Sequence, residues 1–466
     1  MEIPSPKASR WSDLLHAEHR SNITILAGGI GLGAVNTFVV STALPSAVFD
    51  IGGLSLLSWT TTLYVVAAIV SAAIGGRFRA AVGARRAYVL AASVFGAGAL
   101  LCALAPAMDW LIVGRALQGG GAGLLTGLAY ALVRALFPER LWSKVFACIS
   151  AMWGIAALTG PLLGGLFAGA GWWRGAFVFM ALAALVFALF GWIAIKQDKA
   201  LPTAERNGLP IAQLLLLAAA VFCVALAGTD VGGSMAGVLI MAGTALGAAT
   251  LWVDRHGSAR LFPRGAFSLT GTLSWGLWMV FLMSAANAPF FIFGPLLLQT
   301  LFAMAPLEAG YTAALASVAW TVTAIAVATL PESVERPAIV IGPLFSVVSL
   351  LGIATSISSV CLAGLLITVY FTGAAMGICW AFIGQRVMSA VAEEEGDMAG
   401  GAIPATQLMG IAFGSALAGL IANRAGFAEA LNLISAKNVA LSVFPAFLPA
   451  SVLAGICAWL LVRRGE

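Results

Sequence analysis

Charged side chains are scarce in this sequence. Asp, Glu, Lys and Arg make up only 9% of its 466 residues and hydrophobic residues make up 61%, whereas soluble globular proteins are typically about one quarter charged. Apolar runs of roughly 18 or more residues recur along the chain, and each is long enough to cross a hydrocarbon core of about 30 Å. Because a backbone in lipid must satisfy its own hydrogen bonds, the runs predict helices. The fold class is therefore an all-α polytopic membrane protein.

Groups that carry out chemistry are also missing from the apolar runs. The six cysteines lie inside these runs without metal-ligating or redox spacing, and the three histidines lie in polar segments, so we predict no metal and no cofactor. Neither paired carboxylates nor an activated nucleophile is visible, which argues against an enzyme. No nucleotide-binding loop is visible, and neither acidic rings nor a carbonyl filter indicates a cation channel. The basic residues lie between the runs, where they orient helices rather than bind nucleic acid.

The apolar runs predict about fourteen transmembrane helices in groups of six, two and six. The predicted segments are a cytoplasmic N-terminal segment (1–22), a first six-helix bundle (23–196), a linker with two extra helices near 210–229 and 233–253 (197–265), and a second six-helix bundle (266–466). Helices near 109–136 and 267–302 belong to the two bundles. Nearly all Lys and Arg fall on one side, and the other side receives only Arg174, Arg424 and Lys437. This asymmetry predicts a multi-pass plasma-membrane (inner-membrane) protein with both termini cytoplasmic.

Five stretches, taken in order, resemble the motifs of one transporter family. They are NTFVVSTALP (36–45), GRFRAAVGARR (76–86), RALQGGGAG (115–123), TGPLLGG (159–165) and GPLLLQTLFAMAPLEAGY (294–311). Together they resemble the major facilitator superfamily, and within it the fourteen-helix drug:proton antiporter branch. The resemblance implies a monomeric secondary transporter that exports small amphipathic organic compounds by alternating access and proton antiport. Its partners would be a small-molecule substrate, the lipid bilayer and protons.

The resemblance also implies residues that control the conformational change. In the loop after the second helix and in the fifth helix, these candidate gating residues are Gly76, Gly83, Arg85, Arg86, Gly160, Pro161, Gly164 and Gly165. Read without the family, the same residues indicate close helix packing, a kink and a positive-inside anchor. The position at which the family usually carries an aspartate is Ala80. The loop is therefore expected to latch weakly, or to rely on arginine contacts with helix ends.

One arginine lies inside an apolar, glycine-rich span. An arginine at a helix centre costs about 2.5–3.5 kcal/mol on insertion scales and normally faces the interior of a bundle. Arg115 therefore either faces a cavity, or caps carbonyls and reaches the outer interface. The family usually carries an aspartate at Asn36, and no Asp, Glu or His lies well inside any predicted span. Charge complementarity then favours an anionic or neutral amphipathic solute, with Arg115 and Gln118 contacting its acidic group.

Two functional hypotheses remain open. The first is proton-coupled efflux, with a proton carried by Glu308, Asp50 or Asp230. The second is uptake or facilitated diffusion of an organic anion at Arg115, without proton coupling in the first helix; a receptor that has lost transport is less favoured. For either transporter, the predicted substrate-binding residues are Asn36, Arg115, Gln118, Trp153, Trp278, Asn287, Gln299, Trp380 and Gln407.

Overall fold

The structure is a computed structural model that describes residues 11–14, 16–53, 56–195, 210–228, 231–257, 259–304, 306–330, 332–426 and 433–463. Apart from three short 3-10 turns, its regular structure over these residues is α-helical. The helices are α1 (Trp11–Leu14), α2 (Ala17–Ile51), α3 (Leu57–Val82), α4 (Ala84–Ala103), α5 (Met108–Leu136), α6 (Trp142–Gly169), α7 (Trp173–Ala194), α8 (Ile211–Ala227), α9 (Gly233–His256), α10 (Thr272–Phe302), α11 (Pro306–Val327), α12 (Glu335–Ser358), α13 (Leu362–Ser389), α14 (Gly396–Arg424), α15 (Leu433–Ala446) and α16 (Leu448–Arg463).

Within the described residues, thirteen helical segments are long and apolar enough to cross a membrane, with α15 and α16 forming one of them. The prediction of an all-helical polytopic membrane protein is confirmed. Helix α8 has 17 residues, or about 25 Å at 1.5 Å per residue, and falls short of the about 30 Å core. The fourteenth span therefore stays a prediction.

The helices form two bundles. Helices α2 to α7 pack on one another through pairs such as α3 with α5 and α2 with α6, and α10 to α16 pack through α11 with α13 and α10 with α14. Successive membrane-crossing segments alternate in direction, with α15 and α16 forming one segment. One end of the molecule, here the Gly83 end, holds the α3–α4 turn, α1 and the end of α16; the opposite end, here the Asp50 end, holds the end of α2.

The glycine-rich run of α5 serves helix packing. A Cβ added at Gly119 or Gly123 would overlap backbone atoms of α3, at Tyr64 and Ala68 respectively. The two glycines are four residues apart and so lie on one helix face, which allows the backbones of α3 and α5 to touch. In the second bundle, Gly373 and Gly377 of α13 meet the backbone of α11 in the same way, so the two bundles repeat one packing arrangement.

The two extra helices lie between the bundles on one flank. Helix α8 packs on α9 and also contacts both α3 and α14. Trp59 of α3 and Phe222 of α8 have ring centroids 5.7 Å apart, and Gly228 lies beside Ala416 of α14. The extra helices therefore bridge the first and second bundles near the Asp50 end.

The bundles meet at the Gly83 end and separate toward the Asp50 end. A Cβ at Gly154 of α6 would overlap the side chain of Thr321 on α11, and Thr321 Oγ1 donates to the Ser150 carbonyl at 3.3 Å. Gly165 and Gly310 lie eleven residues from Gly154 and Thr321, about three helical turns toward the Asp50 end on the same helix faces. Neither has an atom within 4 Å of an added Cβ. Contact at Gly154 and open space at Gly165 and Gly310 indicate a central cleft between the bundles that opens to the Asp50 end.

Candidate functional site

Arg115 lies in a polar cluster inside the first bundle. Its Nη1 donates to Gln118 Oε1 at 3.0 Å, and Gln118 Nε2 donates to Asn36 Oδ1 of α2 at 3.2 Å. The guanidinium carbon lies 4.1 Å from the ring centroid of Tyr64 on α3. Cys102 of α4 approaches Gln118 Oε1 at 3.9 Å. These five residues, here the Arg115 cluster, join all four helices α2 to α5.

The cluster places the arginine deep within protein. Arg115 follows the first residue of α5 by seven positions, about 10 Å along the helix, and is only 3% exposed. It forms no salt bridge with a carboxylate of the described residues, and the aromatic face of Tyr64 offsets part of its burial cost, by about 2 kcal/mol for a desolvated pair. The charge is thus buried among neutral groups.

The burial of the Arg115 cluster bears on its predicted role in substrate binding. Asn36 and Gln118 are fully buried, and their polar atoms face each other rather than the central cleft. In this conformation a solute in the cleft does not reach them. Direct contact between Asn36, Arg115 or Gln118 and a substrate stays a prediction that requires helix movement.

An aromatic floor closes the cleft above the Gly83 end. Trp380 of α13 donates its Nε1 hydrogen to the hydroxyl of Tyr130 on α5 at 3.3 Å, and both side chains are buried. Trp320 of α11 packs edge-on against Trp380 with centroids 5.6 Å apart. The predicted residue Trp380 therefore joins the two bundles, while its partners Tyr130 and Trp320 were missed because nothing in their local sequence marks them.

The other predicted lining residues are not gathered around Arg115. Trp278 packs between Phe267 and Phe281, with centroids 5.7 and 5.9 Å away. Asn287 donates its Nδ2 hydrogen to the Met283 carbonyl of its own helix at 2.8 Å. Three others, Trp153, Gln299 and Gln407, are half-buried on α6, α10 and α14.

The loop after α3 forms an inter-bundle contact at the Gly83 end. A Cβ at Gly76 would overlap the carbonyl oxygen of Asp397, in the first turn of α14. Arg79 Nη1 donates to both carboxylate oxygens of Asp397, at 2.5 and 2.7 Å. The family usually carries an aspartate at the position of Ala80. In this protein the acidic residue of the loop contact is Asp397, which belongs to the other bundle. Sequence analysis missed the pair because its members lie 318 positions apart.

Arginines also contact helix ends at this end of the molecule, as the sequence suggested. Arg85 Nε donates to the Ile195 carbonyl at the end of α7, at 2.7 Å. Arg134 donates across the bundles to the carbonyls of Met388 and Val391 at 3.0 and 3.3 Å. Such contacts satisfy terminal carbonyls and complement the helix dipole. The predicted gating residue Arg86 is exposed.

The remaining candidate gating residues serve turns and packing. Gly83 ends α3 at φ +84°, a conformation that favours glycine. A Cβ at Gly160 or Gly164 would overlap Phe38 or Thr42 of α2, so α6 approaches α2 closely there. Pro161 lies within α6, and Gly165 faces open space.

The candidate proton carriers lie at the Asp50 end or outside the described residues. Asp50 pairs with Arg174 and accepts a hydrogen bond from Trp173 Nε1 at 3.1 Å, so a proton would compete with an existing cationic partner. Glu308 is exposed in the first turn of α11. Asp230 lies outside the described residues.

Exchanging charges across the Arg79–Asp397 contact tests its role. Both side chains are largely buried, with 14% and 17% exposed, so Asp397→Asn should leave a poorly solvated guanidinium and cost about 1.4 kcal/mol, or about tenfold in transport rate. The double variant Arg79→Asp/Asp397→Arg should recover part of that loss. The more exposed Arg140–Asp13 pair supplies the control Arg140→Gln, which should change transport little. Equal losses for the single and exchanged variants would contradict a pairwise contact.

Solved structures share this architecture across nearly the whole chain. The human organic anion transporter MFSD10 matches with a TM-score of 0.70 and 16% identity, over 96% of this chain and 99% of its own. The proton:xylose symporter XylE matches with a TM-score of 0.65 and 16% identity, over 94% and 95% of the two chains. At this identity the likeness establishes the fold alone, two packed bundles of membrane-spanning helices.

The sequence defines the family. The profile of the Major Facilitator Superfamily matches residues 26–403, and the chain therefore belongs to this family. A protein of Mycobacterium tuberculosis named as a probable multidrug-efflux transporter is 36% identical over 439 residues, covering 91% of this chain and 92% of that protein. The prediction of the superfamily and of its fold is confirmed: the chain is a multi-pass membrane transporter of small molecules.

Proposed function

We propose that this protein exports small amphipathic organic compounds across the plasma membrane by proton antiport, as a monomer with both termini in the cytoplasm. The observation that carries the proposal is the 36% identity, along almost the full length, to a probable multidrug-efflux transporter. The positive-inside pattern of the sequence supports an orientation with the Gly83 end in the cytoplasm. The structure is then closed to the cytoplasm and open outward.

Alternating access follows from the two kinds of contact between the bundles. At the Gly83 end they are held by the Arg79–Asp397 pair and by Arg134 on the end of α13. At the Asp50 end, Gly165 and Gly310 are free to meet. Rocking the bundles about the cleft would break the first set and form the second, and a bound solute would change sides. Glu308 is our first candidate for the proton carrier, since it is an exposed acidic residue in the first turn of α11 at the outer end.

Inside-out membrane vesicles test the proposal. A cationic, a neutral and an anionic fluorescent amphiphile are each offered to vesicles with the protein, with or without an imposed pH gradient. We expect accumulation of at least one amphiphile to depend on the gradient and to fall several-fold in Glu308→Gln. Accumulation unchanged after an ionophore collapses the gradient would contradict antiport, and no accumulation of any amphiphile would contradict efflux.

A second candidate function is transport of organic anions. It is favoured by the buried guanidinium of Arg115, which has no carboxylate partner among the described residues, and by the amide of Asn36 in the same cluster. Exchange of an aromatic carboxylate across vesicles without a pH gradient, lost in Arg115→Gln, would support this function. Full exchange activity in Arg115→Gln would remove it.

A further inference from the structure

The hydrogen bonds of the Arg115 cluster leave two buried donor atoms unused. A guanidinium has no acceptor, so the Arg115 Nη1 hydrogen requires Gln118 to present its carbonyl oxygen, as observed at 3.0 Å. The amide nitrogen of Gln118 must then point to Asn36, and Asn36 Oδ1 accepts its hydrogen bond at 3.2 Å. The orientation of each amide is thereby determined, and Asn36 Nδ2 is left over as a donor.

Two buried donors of the cluster have no partner among the described residues. They are Asn36 Nδ2 and Arg115 Nε, on side chains that are 0% and 3% exposed. Buried polar groups in folded proteins are nearly always hydrogen-bonded, and a buried charge is normally paired. The cluster takes an amide from Asn36 of α2, a phenol from Tyr64 of α3 and a thiol from Cys102 of α4. Helix α5 adds the amide of Gln118 and the guanidinium of Arg115, and none of the five side chains is a carboxylate. The cluster therefore supplies no acceptor to these two donors and no negative charge.

We propose that the Arg115 cluster binds a small inorganic anion of the size of chloride. A monatomic anion accepts hydrogen bonds from any direction and requires no donor group, which matches a cluster whose two unpartnered buried atoms are both donors. The burial of Asn36 and Gln118 and the close packing of α5 on α3 at Gly119 favour a small ion over the acid group of a larger solute. The anion would stabilise the first bundle whichever solute the cleft carries.

Thermal unfolding of the purified full-length protein in detergent tests the proposal. Unfolding is followed in sodium chloride and in sodium gluconate at equal ionic strength, with bromide and nitrate as further small anions. A ligand that binds the folded form raises the midpoint by mass action, and we expect Tm to be higher in chloride by about 2 °C or more, saturating with concentration.

Asn36→Asp is the decisive variant because it supplies a negative charge and an acceptor within the cluster. Its Tm should be the same in chloride and gluconate. Asn423→Asp makes the same chemical change at an exposed position of α14, and should keep the full difference between the two salts. General effects of the salts on protein solvation would act on both variants alike.

Each outcome decides the matter. A Tm independent of anion identity in the natural protein would show that water completes the cluster, and would overturn the proposal. A chloride effect that persists in Asn36→Asp would place the anion elsewhere and also overturn it. Stabilisation by benzoate but not by chloride would assign the site to an organic solute. Since the measurement involves no transport, failure here leaves the proposed efflux function standing.

Discussion

Replacing Gly76 by alanine should reduce transport by roughly tenfold to a hundredfold while leaving the protein folded and inserted. The added Cβ would overlap the carbonyl oxygen of Asp397 and lie 3.1 Å from its Cα, and backbone cannot move aside as a flexible side chain can. Forcing a methyl group into a packed contact typically costs about 1–3 kcal/mol. The added free energy destabilises only the conformation that is closed at the Gly83 end. The population of this closed conformation should therefore drop by roughly tenfold to a hundredfold.

The measurement is the initial rate of amphiphile transport in vesicles, normalised to the amount of inserted protein. Gly120→Ala is the matched control, because Gly120 of α5 has no atom within 4 Å of an added Cβ and alanine favours a helix. The control should transport at the natural rate. A Gly76→Ala variant as active as Gly120→Ala would show that closure at the Gly83 end does not depend on this contact.

A disulfide between cysteines introduced at Gly165 and Gly310 should lock the protein in the opposite conformation and stop transport. Both positions lie about three turns from the Gly154–Thr321 contact on the faces that carry it, and both face open space in this structure. A disulfide requires Cα atoms about 4.4–6.8 Å apart. The bond can therefore form only when the bundles close at the Asp50 end, and a reductant should restore activity.

The control is the pair Gly154→Cys/Thr321→Cys, whose positions already touch, with Thr321 Cβ 3.0 Å from an added Cβ at Gly154. Both pairs are built in a background whose six natural cysteines are replaced by serine or alanine. The control should cross-link without substrate or gradient, whereas the Gly165–Gly310 pair should cross-link faster during turnover. Absence of any cross-link in the second pair during active transport would contradict the proposed closure.

Much of the fold follows from the sequence because every span in lipid must satisfy its own backbone hydrogen bonds, and a helix does so. The helix predicted over 109–136 is α5 (Met108–Leu136) within one residue, since apolar length and the flanking polar residues define it. The helix predicted over 267–302 begins only at Thr272. Ser268 Oγ lies within hydrogen-bond distance of the Gly265 and Thr270 carbonyl oxygens, at 3.0 and 2.7 Å, and Gly271 adopts φ +91°. These local polar bonds compete with helix hydrogen bonds and leave no trace in hydropathy.

The functional contacts were harder to predict because they join distant parts of the chain. The deep arginine was visible as a charge within an apolar run, but its enclosure by Tyr64 and Cys102 depends on how α3 and α4 pack. Asp397 stands in a short acidic segment that reads as a solvated loop, and only folding brings it to Arg79. Where a role depends on tertiary pairing, the residue type alone does not identify the partner.

The flank covered by α8 makes access to the cleft one-sided. Helix α8 spans the gap between α3 and α14 through Trp59, Phe222 and Gly228, whereas on the opposite flank neither α8 nor α9 packs on α6 or α11 within the described residues. Leu158 and Leu162 of α6 are about half exposed there. An amphiphile dissolved in the outer leaflet would thus exchange with the cleft sideways past α6 and α11 rather than past α8. Bulky substitutions along that gap should then slow the transport of lipid-soluble substrates more than the transport of water-soluble substrates.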